Sequence, residues 1–217
     1  LIGLNTNFRN SLFFNRGKQH HSTTYSFLLN ESQNLLSVGS VVAKNQSHQV
    51  QYQHLVKKSW LFNFSGSTTS TESTSENYPN RNFEIDGYQI EPKIGYLFSK
   101  NASWDIFYEF QQKENQIGAF ETLKQTRLGT SFTFNSEKGF SMNGEFSMYN
   151  NTYDGNALSA VGFQMLEGLQ PGKNQTWRLL LQKNLTQYLD VNINYQGRNS
   201  ETSKTIHTGN IQLRAFF

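Results

Sequence analysis

The feature that most constrains this chain is an alternation of apolar and polar residues with a period of two. In the clearest segment, Leu189, Val191, Ile193 and Tyr195 alternate with Asp190, Asn192, Asn194 and Gln196. Successive side chains of a β-strand point to opposite faces, so this pattern places apolar residues on one face and polar residues on the other. No helical period competes with it over a comparable length.

The same alternation recurs through the rest of the chain. Its apolar members are Trp104, Ile106, Tyr108 and Phe110; Met142, Phe146 and Met148; Leu128, Phe132 and Phe134; Ile94, Tyr96 and Phe98; Trp60, Phe62 and Phe64; and Val50, Tyr52 and Val56. Less regular segments contain Leu36, Val38 and Val42, then Tyr25, Phe27 and Leu29, then Phe8, Leu12 and Phe14. The last segment places Ile211, Leu213, Ala215 and Phe217 on one face. A chain that ends on an outward aromatic resembles the sorting signal that the barrel-assembly machinery reads.

Composition favours a membrane interpretation of this pattern. The chain contains 18 Phe, 10 Tyr and 3 Trp, yet its mean hydropathy is -0.63, which is clearly polar. A barrel combines these properties because each strand shows one face to hydrocarbon and the other to a wet interior. No run of 18 apolar residues occurs, so only strands could cross a bilayer. We therefore predict an all-β, transmembrane, antiparallel up-and-down β-barrel, in which Ile193, Tyr195, Leu213 and Phe217 face lipid.

The connections predict the strand count. Tight links are expected at Asn30 to Gln33, Lys57 to Ser59, Ser99 to Ala102, Asn135 to Gly139 and Asn184 to Gln187. Longer links are expected at Asn15 to Ser22, Lys44 to Ser47, Ser67 to Gly87, Lys113 to Thr122 and Arg198 to Lys204. Short periplasmic turns and longer outer loops are typical of outer-membrane barrels.

One region disturbs this scheme, because Ala157 to Glu167 has the pattern of another strand. We interpret Asn150 to Asn174 as one long outer loop, which leaves about twelve strands and places both termini in the periplasm. Fourteen strands result if the loop contributes two. The whole chain, residues 1–217, is expected to be one barrel domain, either complete or the C-terminal part of a longer protein.

If the outward assignment holds, the polar face lines a lumen. The lumen-facing candidates are Lys93, Asp105, Glu109, Arg127, Glu145, Arg178, Asp190, Arg198 and Arg214, together with Glu91 and Arg9. Their charges nearly balance, whereas a selective pore usually carries a ring of one sign at its constriction. This balance favours side chains that pair with one another and fill a narrow barrel.

Signals for other kinds of site are weak. The adjacent pair His20 and His21 lacks the spacing of known metal sites, so no metal ligands, cofactor or catalytic residues are predicted. His207 with Ser203 or Glu201 is the one set that could suggest a hydrolase at the outer rim. Trp60, Trp104, Trp177 and the tyrosines near strand ends are interpreted as membrane-interface residues rather than a sugar-stacking platform. The basic residues are scattered and the net charge is only +3, so we expect no nucleic-acid partner.

Several runs of residues resemble a known family. They are Phe163 to Trp177 (FQMLEGLQPGKNQTW), Tyr195 to Arg198 (YQGR), His207 to Phe217 (HTGNIQLRAFF) and Leu12 to Gly17 (LFFNRG). They are similar to the C-terminal barrel of large outer-membrane proteins of Bacteroidetes bacteria. The resemblance implies an outer-membrane location and a large exported region ahead of Leu1, and it carries no catalytic residues across.

These observations lead to three functional hypotheses. The preferred one is a non-enzymatic barrel that anchors or supports a larger cell-surface or transport assembly. A small porin-like channel is the alternative, and an outer-rim hydrolase is the second alternative. The expected partners are outer-membrane lipid and lipopolysaccharide, the barrel-assembly machinery during biogenesis, and a larger outer-membrane protein complex.

Overall fold

The computed structural model describes residues 2–16, 20–36 and 39–216 as a single antiparallel sheet. Each strand pairs with its neighbours in sequence, so the prediction of an all-β, up-and-down architecture is confirmed. The strands are β1 (Ile2–Phe14), β2 (His21–Leu36), β3 (Gly39–Val56), β4 (Trp60–Ser75), β5 (Phe83–Ser99), β6 (Ala102–Asn115), β7 (Thr122–Ser136), β8 (Phe140–Asp154), β9 (Gly172–Thr186), β10 (Leu189–Ser200) and β11 (Ile206–Ala215). A helix, α1 (Ala160–Leu166), and a short 3-10 turn, Pro79–Arg81, complete the described elements.

The described residues form eleven strands rather than the predicted twelve or fourteen. The predicted links Asn30 to Gln33 and Lys44 to Ser47 are wrong, because they lie inside β2 and β3. There they pair with each other, with Asn30 opposite Asn45 and Glu31 opposite Lys44. Most of the predicted loop Ser67 to Gly87 is likewise strand, which leaves only residues 76–82 between β4 and β5. The three strands predicted between Tyr25 and Val56 are therefore two long strands, β2 and β3.

The two ends of the sheet differ in their connections. We call one end the turn end; β1 ends and β2 begins there, and it carries the connections 57–59, 100–101, 137–139 and 187–188. The opposite end, where β2 ends and β3 begins, is called the loop end, and it carries the connections 76–82, 116–121, 155–171 and 201–205. The described parts of the predicted outer loop Asn15 to Ser22 therefore lie at the turn end, where β1 ends and β2 begins; residues 17–19 lie outside the described residues.

An odd number of strands also changes the expected position of the chain ends. β1 begins at the loop end, whereas β11 ends at the turn end. The first described strand therefore begins at one end of the sheet and the last one finishes at the other; that both termini lie in the periplasm stays a prediction. It depended on an even strand count, which the merged β2 and β3 remove.

Helix α1 lies in the connection between β8 and β9, where no second hairpin forms. The Ser159 hydroxyl accepts a hydrogen bond from the Gly162 amide at 2.9 Å and caps the helix, and Glu167 ends it in a left-handed conformation with φ of 53°. The prediction of a strand-like segment at Ala157 to Glu167 is therefore wrong; Val161 and Met165 lie on the buried face of the helix instead.

The main hydrophobic core forms where α1 packs against the sheet. Ile85 of β5 and Leu123 of β7 are buried together with Val161, Met165 and Leu166 of α1. We call the sheet face that carries Ile85 and Leu123 the inner face, and the opposite face the outer face. Because side chains alternate along each strand, strand pairing assigns strand positions to one of them, except at the register shifts between Leu97 and Ser99 and between Leu189 and Asp190.

Candidate functional site

The charged part of the inner face is centred on Arg127 of β7. Nη1 of Arg127 lies 3.3 Å from Oε2 of Glu109, and Nη2 lies 2.5 Å from Oε1 of Glu145. Nε of Arg127 donates a hydrogen bond to Oγ of Ser147 at 3.1 Å. Arg178 continues the series, with Nη2 3.6 Å from Oε2 of Glu145. Charges of alternating sign therefore follow one another across β6, β7, β8 and β9.

Aromatic rings and a glycine hold Arg127 in place. Its guanidinium carbon lies 4.6 Å from the ring centre of Phe107 and 5.4 Å from that of Tyr149, both distances at which a cation is attracted to the ring. A Cβ at Gly129 would come within 2.3 Å of Phe107 Cζ. Gly129 therefore provides the space that the Phe107 ring occupies beneath the guanidinium.

All nine predicted lumen-facing residues occupy inner-face positions of the sheet. They are Lys93, Asp105, Glu109, Arg127, Glu145, Arg178, Asp190, Arg198 and Arg214. Nζ of Lys93 lies 3.9 Å from Oε1 of Glu91, and Oδ2 of Asp105 accepts a hydrogen bond from Oγ of Ser131 at 3.3 Å. Asp190 and Arg214 lie opposite each other on β10 and β11. The structure thus brings Glu109, Arg127, Glu145 and Arg178 into one cluster and leaves the others around it.

The connection 155–171, which we call the plug, is attached to the inner face by an ion pair. Nζ of Lys113 pairs with the Glu167 carboxylate and donates to the backbone oxygen of Met165 at 3.2 Å. The Lys113 side chain is almost completely buried. Lys113 is not among the residues predicted from the sequence, because a single lysine near a strand end looks like an ordinary loop residue.

Further hydrogen bonds attach the plug to β8, β9 and β10. The side-chain amides of Asn151 and Asn174 donate to the Gln170 backbone oxygen at 3.0 and 2.7 Å. Nη1 of Arg198 donates to the Gly168 backbone oxygen at 2.9 Å. The plug is therefore fixed to the inner face along its length and is not a free outer loop.

The inner face of β1 to β4 is different in character. Its cross-strand pairs are neutral, with Asn7 donating to Asn30 at 2.6 Å and Asn45 donating to Thr71 at 3.2 Å. A cavity of about 470 Å³ is lined by residues of these strands together with Phe83 and Gln164 of α1. A second cavity of about 490 Å³ lies beside the plug and is lined by Glu145, Arg178 and Arg198.

The outer face carries an apolar band near the turn end. One row of paired positions across β4, β5, β6, β8 and β9 contains Phe62, Ile94, Ile106, Phe146 and Trp177, with Thr130 of β7 between the third and fourth. Ile94 and Ile106 are 48% and 45% exposed, which is unusual for large apolar side chains that belong to a regular sheet. Toward the loop end, the outward positions become polar, as Gln112 and Glu114 show on β6.

The predicted lipid-facing residues occupy the same outer face. Ile193 of β10 pairs with Ile211, and Leu213 pairs with Val191. Tyr195 also lies outward, where its hydroxyl is 2.8 Å from Nδ1 of His207. Phe217 lies outside the described residues.

At the loop end, the Glu76 carboxylate links a connection to a strand. The backbone amide of Ser40 donates to Oε2 of Glu76 at 2.9 Å. This hydrogen bond to the charged form holds the pKa of Glu76 below its usual value. The contact attaches the connection 76–82 to the start of β3.

The residues considered for a hydrolase have contacts in different places. His207 lies on the outer face of β11 with Tyr195 and Trp177. Oγ of Ser203 lies 2.6 Å from Ser200, while Glu201 contacts Lys173. These contacts do not form the chain of nucleophile, base and orienting carboxylate that a triad requires.

In residues 2–16, 20–36 and 39–216, no group of three or more His, Asp or Glu side chains is arranged to hold a metal ion. Within the same residues, no helix has the length and apolar character needed to cross a membrane.

Comparisons with known proteins give structural likeness only. No family model matches the chain, and no curated protein matches it. Among solved structures, it is similar to the translocator domain of the autotransporter NalP from Neisseria meningitidis, with 9% identity, a TM-score of 0.43, and coverage of 99% of this chain and 82% of that one. It is also similar to the β domain of the Bordetella autotransporter BrkA, with 8% identity, a TM-score of 0.47, and coverage of 99% and 91%.

A third similar structure is the KdgM porin in complex with disordered oligogalacturonate. It shares 9% identity and a TM-score of 0.42, with coverage of 99% of this chain and all of that one. Because these TM-scores are below 0.5, the description of the fold depends on the chain's own strand pairing.

Proposed function

We propose that this chain is an outer-membrane β-barrel domain that anchors a larger cell-surface assembly and conducts little or nothing itself. The observation that carries the proposal is the contrast between the exposed apolar band of the outer face and the polar, occupied inner face. The two parts of the proposal, membrane location and anchoring, have separate support.

The outer face supports the membrane location. An apolar band that includes Phe62, Ile94 and Ile106 would be costly in water and would promote association. In lipid, the same band contacts hydrocarbon, which is the environment that apolar side chains favour. Strands rather than helices can provide it, because hydrogen bonds between neighbouring strands satisfy the backbone polar groups.

The inner face supports anchoring over conduction. The plug and the ion pairs around Arg127 occupy the inner face of β5 to β9, and their charges alternate in sign. A conducting pore would need an open path, usually with a bias of one charge at its narrowest point. Paired charges that fill the interior instead stabilise a closed wall.

The proposed partners follow from the same surfaces. Lys124 lies on the outer face toward the loop end, where it could meet phosphate groups of lipopolysaccharide, whereas Lys44 lies between Glu31 and Glu72 and Lys173 pairs with Glu201. Outer-membrane lipid covers the apolar band, and the barrel-assembly machinery inserts the strands. The family resemblance suggests that the domain anchors a larger assembly, and this role is part of the proposal.

A porin-like channel is the second candidate, and the uncharged wall of β1 to β4 favours it. The cavity of about 470 Å³ along this wall shows that the plug does not fill the whole inner face. Neutral amide and hydroxyl groups could admit small uncharged solutes. The conductance of the unmodified protein therefore decides between the anchor and the channel.

Planar-bilayer recording of the purified full chain separates the two candidates. We expect no stable conductance steps from the unmodified protein, and steps from a variant in which residues 156–170 are replaced by a short Gly-Ser linker. A Lys204→Met variant is the control, because it changes a loop-end charge outside the plug. Stable ion-selective steps from the unmodified protein that are lost in Glu145→Gln or Arg178→Met would contradict the anchor proposal and establish the channel.

A further inference from the structure

The cavity of about 490 Å³ beside the plug contains positive charge that the protein does not neutralise locally. Its charged lining side chains are Glu145, Glu167, Arg178 and Arg198. Both glutamates are held by cations outside the cavity lining, because Glu167 pairs with Lys113 and Glu145 pairs with Arg127. The two arginines of the lining are therefore left without a carboxylate of their own.

The contacts of the two arginines agree with this account. Nη2 of Arg178 lies 3.6 Å from Oε2 of Glu145, which is too far for a hydrogen bond, and the Arg178 side chain is 56% exposed. Nη1 of Arg198 donates to the Gly168 backbone oxygen at 2.9 Å. Within the part of the chain that the structure describes, no carboxylate forms an ion pair with Arg198. A guanidinium carries several N–H donors, so both groups have donors left for a ligand.

Strand pairing brings the two guanidinium groups to one place on the inner face. Arg178 of β9 is paired with Gln196 of β10, and Arg198 follows Gln196 by two residues on the same face. Residues in such diagonal positions of an antiparallel pair are separated by about 7 to 8 Å, within reach of long side chains. One small anion can therefore contact both arginines.

The rest of the inward lining is mostly neutral and polar. Thr176 of β9 is paired with Arg198, and Thr208 of β11 is paired with Gln196. Hydroxyl and amide side chains can both donate and accept hydrogen bonds, so they suit the hydroxyl groups of a ligand. The cavity volume lies in the range of about 300 to 1,000 Å³ that is typical of small-molecule sites.

We propose that this cavity binds a small hydroxylated carboxylate, whose carboxylate group lies between Arg178 and Arg198. Guanidinium groups recognise carboxylates through paired, charge-assisted hydrogen bonds. The neutral side chains of the same wall bind the hydroxyl groups of the ligand. This site goes beyond the proposed function, because binding beside a fixed plug needs neither an open pore nor a partner protein.

The charges of the lining favour a carboxylate over a phosphate. A phosphate group carries about 1.5 to 2 negative charges at neutral pH, whereas a carboxylate carries one. Glu145 and Glu167 also line the cavity, so a second negative charge on the ligand would meet like charges there. The site is therefore suited to a singly charged acid.

Equilibrium dialysis of the purified full chain in detergent micelles tests the proposal. The probe is radiolabelled D-glucuronate, and D-glucose is its neutral match, because the two sugars differ in the carboxylate. We expect saturable binding of glucuronate with one site per chain and no saturable binding of glucose. Inorganic phosphate, added as a competitor, should displace glucuronate only at concentrations higher than those at which unlabelled glucuronate does.

Substitutions of the two arginines locate the binding. Arg178→Gln and Arg198→Gln should each weaken glucuronate binding about tenfold to a hundredfold, because each removes charge-assisted hydrogen bonds. Arg198→Lys keeps the charge without the planar fork and should retain more binding than Arg198→Gln. Arg214→Gln is the matched control, since Arg214 lies on the inner face opposite Asp190 and does not line the cavity. Its affinity for glucuronate should equal that of the unmodified protein.

Circular dichroism checks that each variant keeps its strands. If Arg178→Gln loses them, Arg198→Gln decides alone, because the side chain of Arg198 is bound to the plug by a single hydrogen bond. The proposal is overturned if glucuronate shows no saturable binding, if glucose binds equally well, or if phosphate binds more tightly. It is also overturned if Arg198→Gln leaves the affinity unchanged, or if Arg214→Gln lowers it as much as Arg198→Gln does.

Discussion

The inner face of β1 to β4 and that of β5 to β9 are built from different side chains, although the outer face carries apolar residues near the turn end in both regions. In the first region, Arg9 is the one charged residue at a described inner-face position, and Ser, Thr, Asn and Gln dominate. In the second, eight charged residues share the face: Glu91, Lys93, Asp105, Glu109, Lys113, Arg127, Glu145 and Arg178.

The buried core follows the same division. The core residues Ile85 and Leu123 and the buried side chains of Phe107 and Ser147 all lie in the second region. There, long charged side chains reach across neighbouring strands and α1 covers the wall. The first region keeps its short neutral pairs beside an open cavity. We infer that β5 to β9 with the plug provide most of the stability that depends on specific packing, whereas β1 to β4 complete the wall.

The largest expected effect comes from Arg127→Met in the packed region. The change leaves Glu109, whose side chain is 8% exposed, without its cation, and breaking a buried pair in this way costs about 3 to 5 kcal/mol. The matched change Gln51→Met on the exposed inner face of β3 should cost less than about 0.5 kcal/mol. Denaturant titration in lipid vesicles measures both free energies of unfolding. Similar losses in the two variants would remove the distinction between the regions.

On the outer face, the two regions should behave alike. Phe62→Arg in β4 and Ile106→Arg in β6 occupy the same row of paired positions, and each should cost about 2 to 4 kcal/mol if that row lies near mid-membrane. The same titration compares them. A large loss at Ile106 with none at Phe62 would mean that the apolar band does not continue over β1 to β4.

A smaller contrast is expected between two glycines. Gly129→Ala places a methyl group against the Phe107 ring in the packed region, and overpacking of this kind costs about 1 to 3 kcal/mol. At Gly66 of β4, the nearest atoms to a new Cβ are 3.8 and 3.9 Å away, so Gly66→Ala should stabilise the sheet by about 0.5 to 1 kcal/mol. Thermal unfolding in matched micelles gives the sign of each change. Stabilisation by Gly129→Ala would show that the Phe107 ring can move.

The sequence predicted the sheet best where its two faces differ most. The alternation at Leu189 to Gln196 placed residues correctly on the two faces of β10, because one set of side chains is apolar and the other polar. It failed at the loop-end parts of β2 and β3. There Glu31 and Lys44 lie outward while Asn30 and Asn45 lie inward, so both faces are polar and the pattern looks like a turn.

The candidate site was predicted in outline but not in its connections. Arg127, Glu109 and Glu145 could be assigned to one face from alternation alone. The contacts between them could not be assigned in this way. Glu145 is paired with Ser131 on β7, but its side chain contacts Arg127, which lies farther along that strand. The plug was missed because the apolar residues of α1 have spacings that fit either a short helix or a strand. Ser159 as a helix cap and Gly168 after the helix were the signals that could have found it.

The central claim is that the two faces of these strands lie in different solvents, lipid outside and water or polar groups inside. Spin labels on single cysteines at positions 189 to 196 test it directly, since the sequence contains no other cysteine. In lipid vesicles, collision with oxygen should be highest at 189, 191, 193 and 195, and collision with a water-soluble nickel complex should be highest at 190, 192, 194 and 196. The claim is contradicted if the collision rates with oxygen and with the nickel complex rise and fall together along the strand. It is also contradicted if all eight positions are equally accessible to the nickel complex.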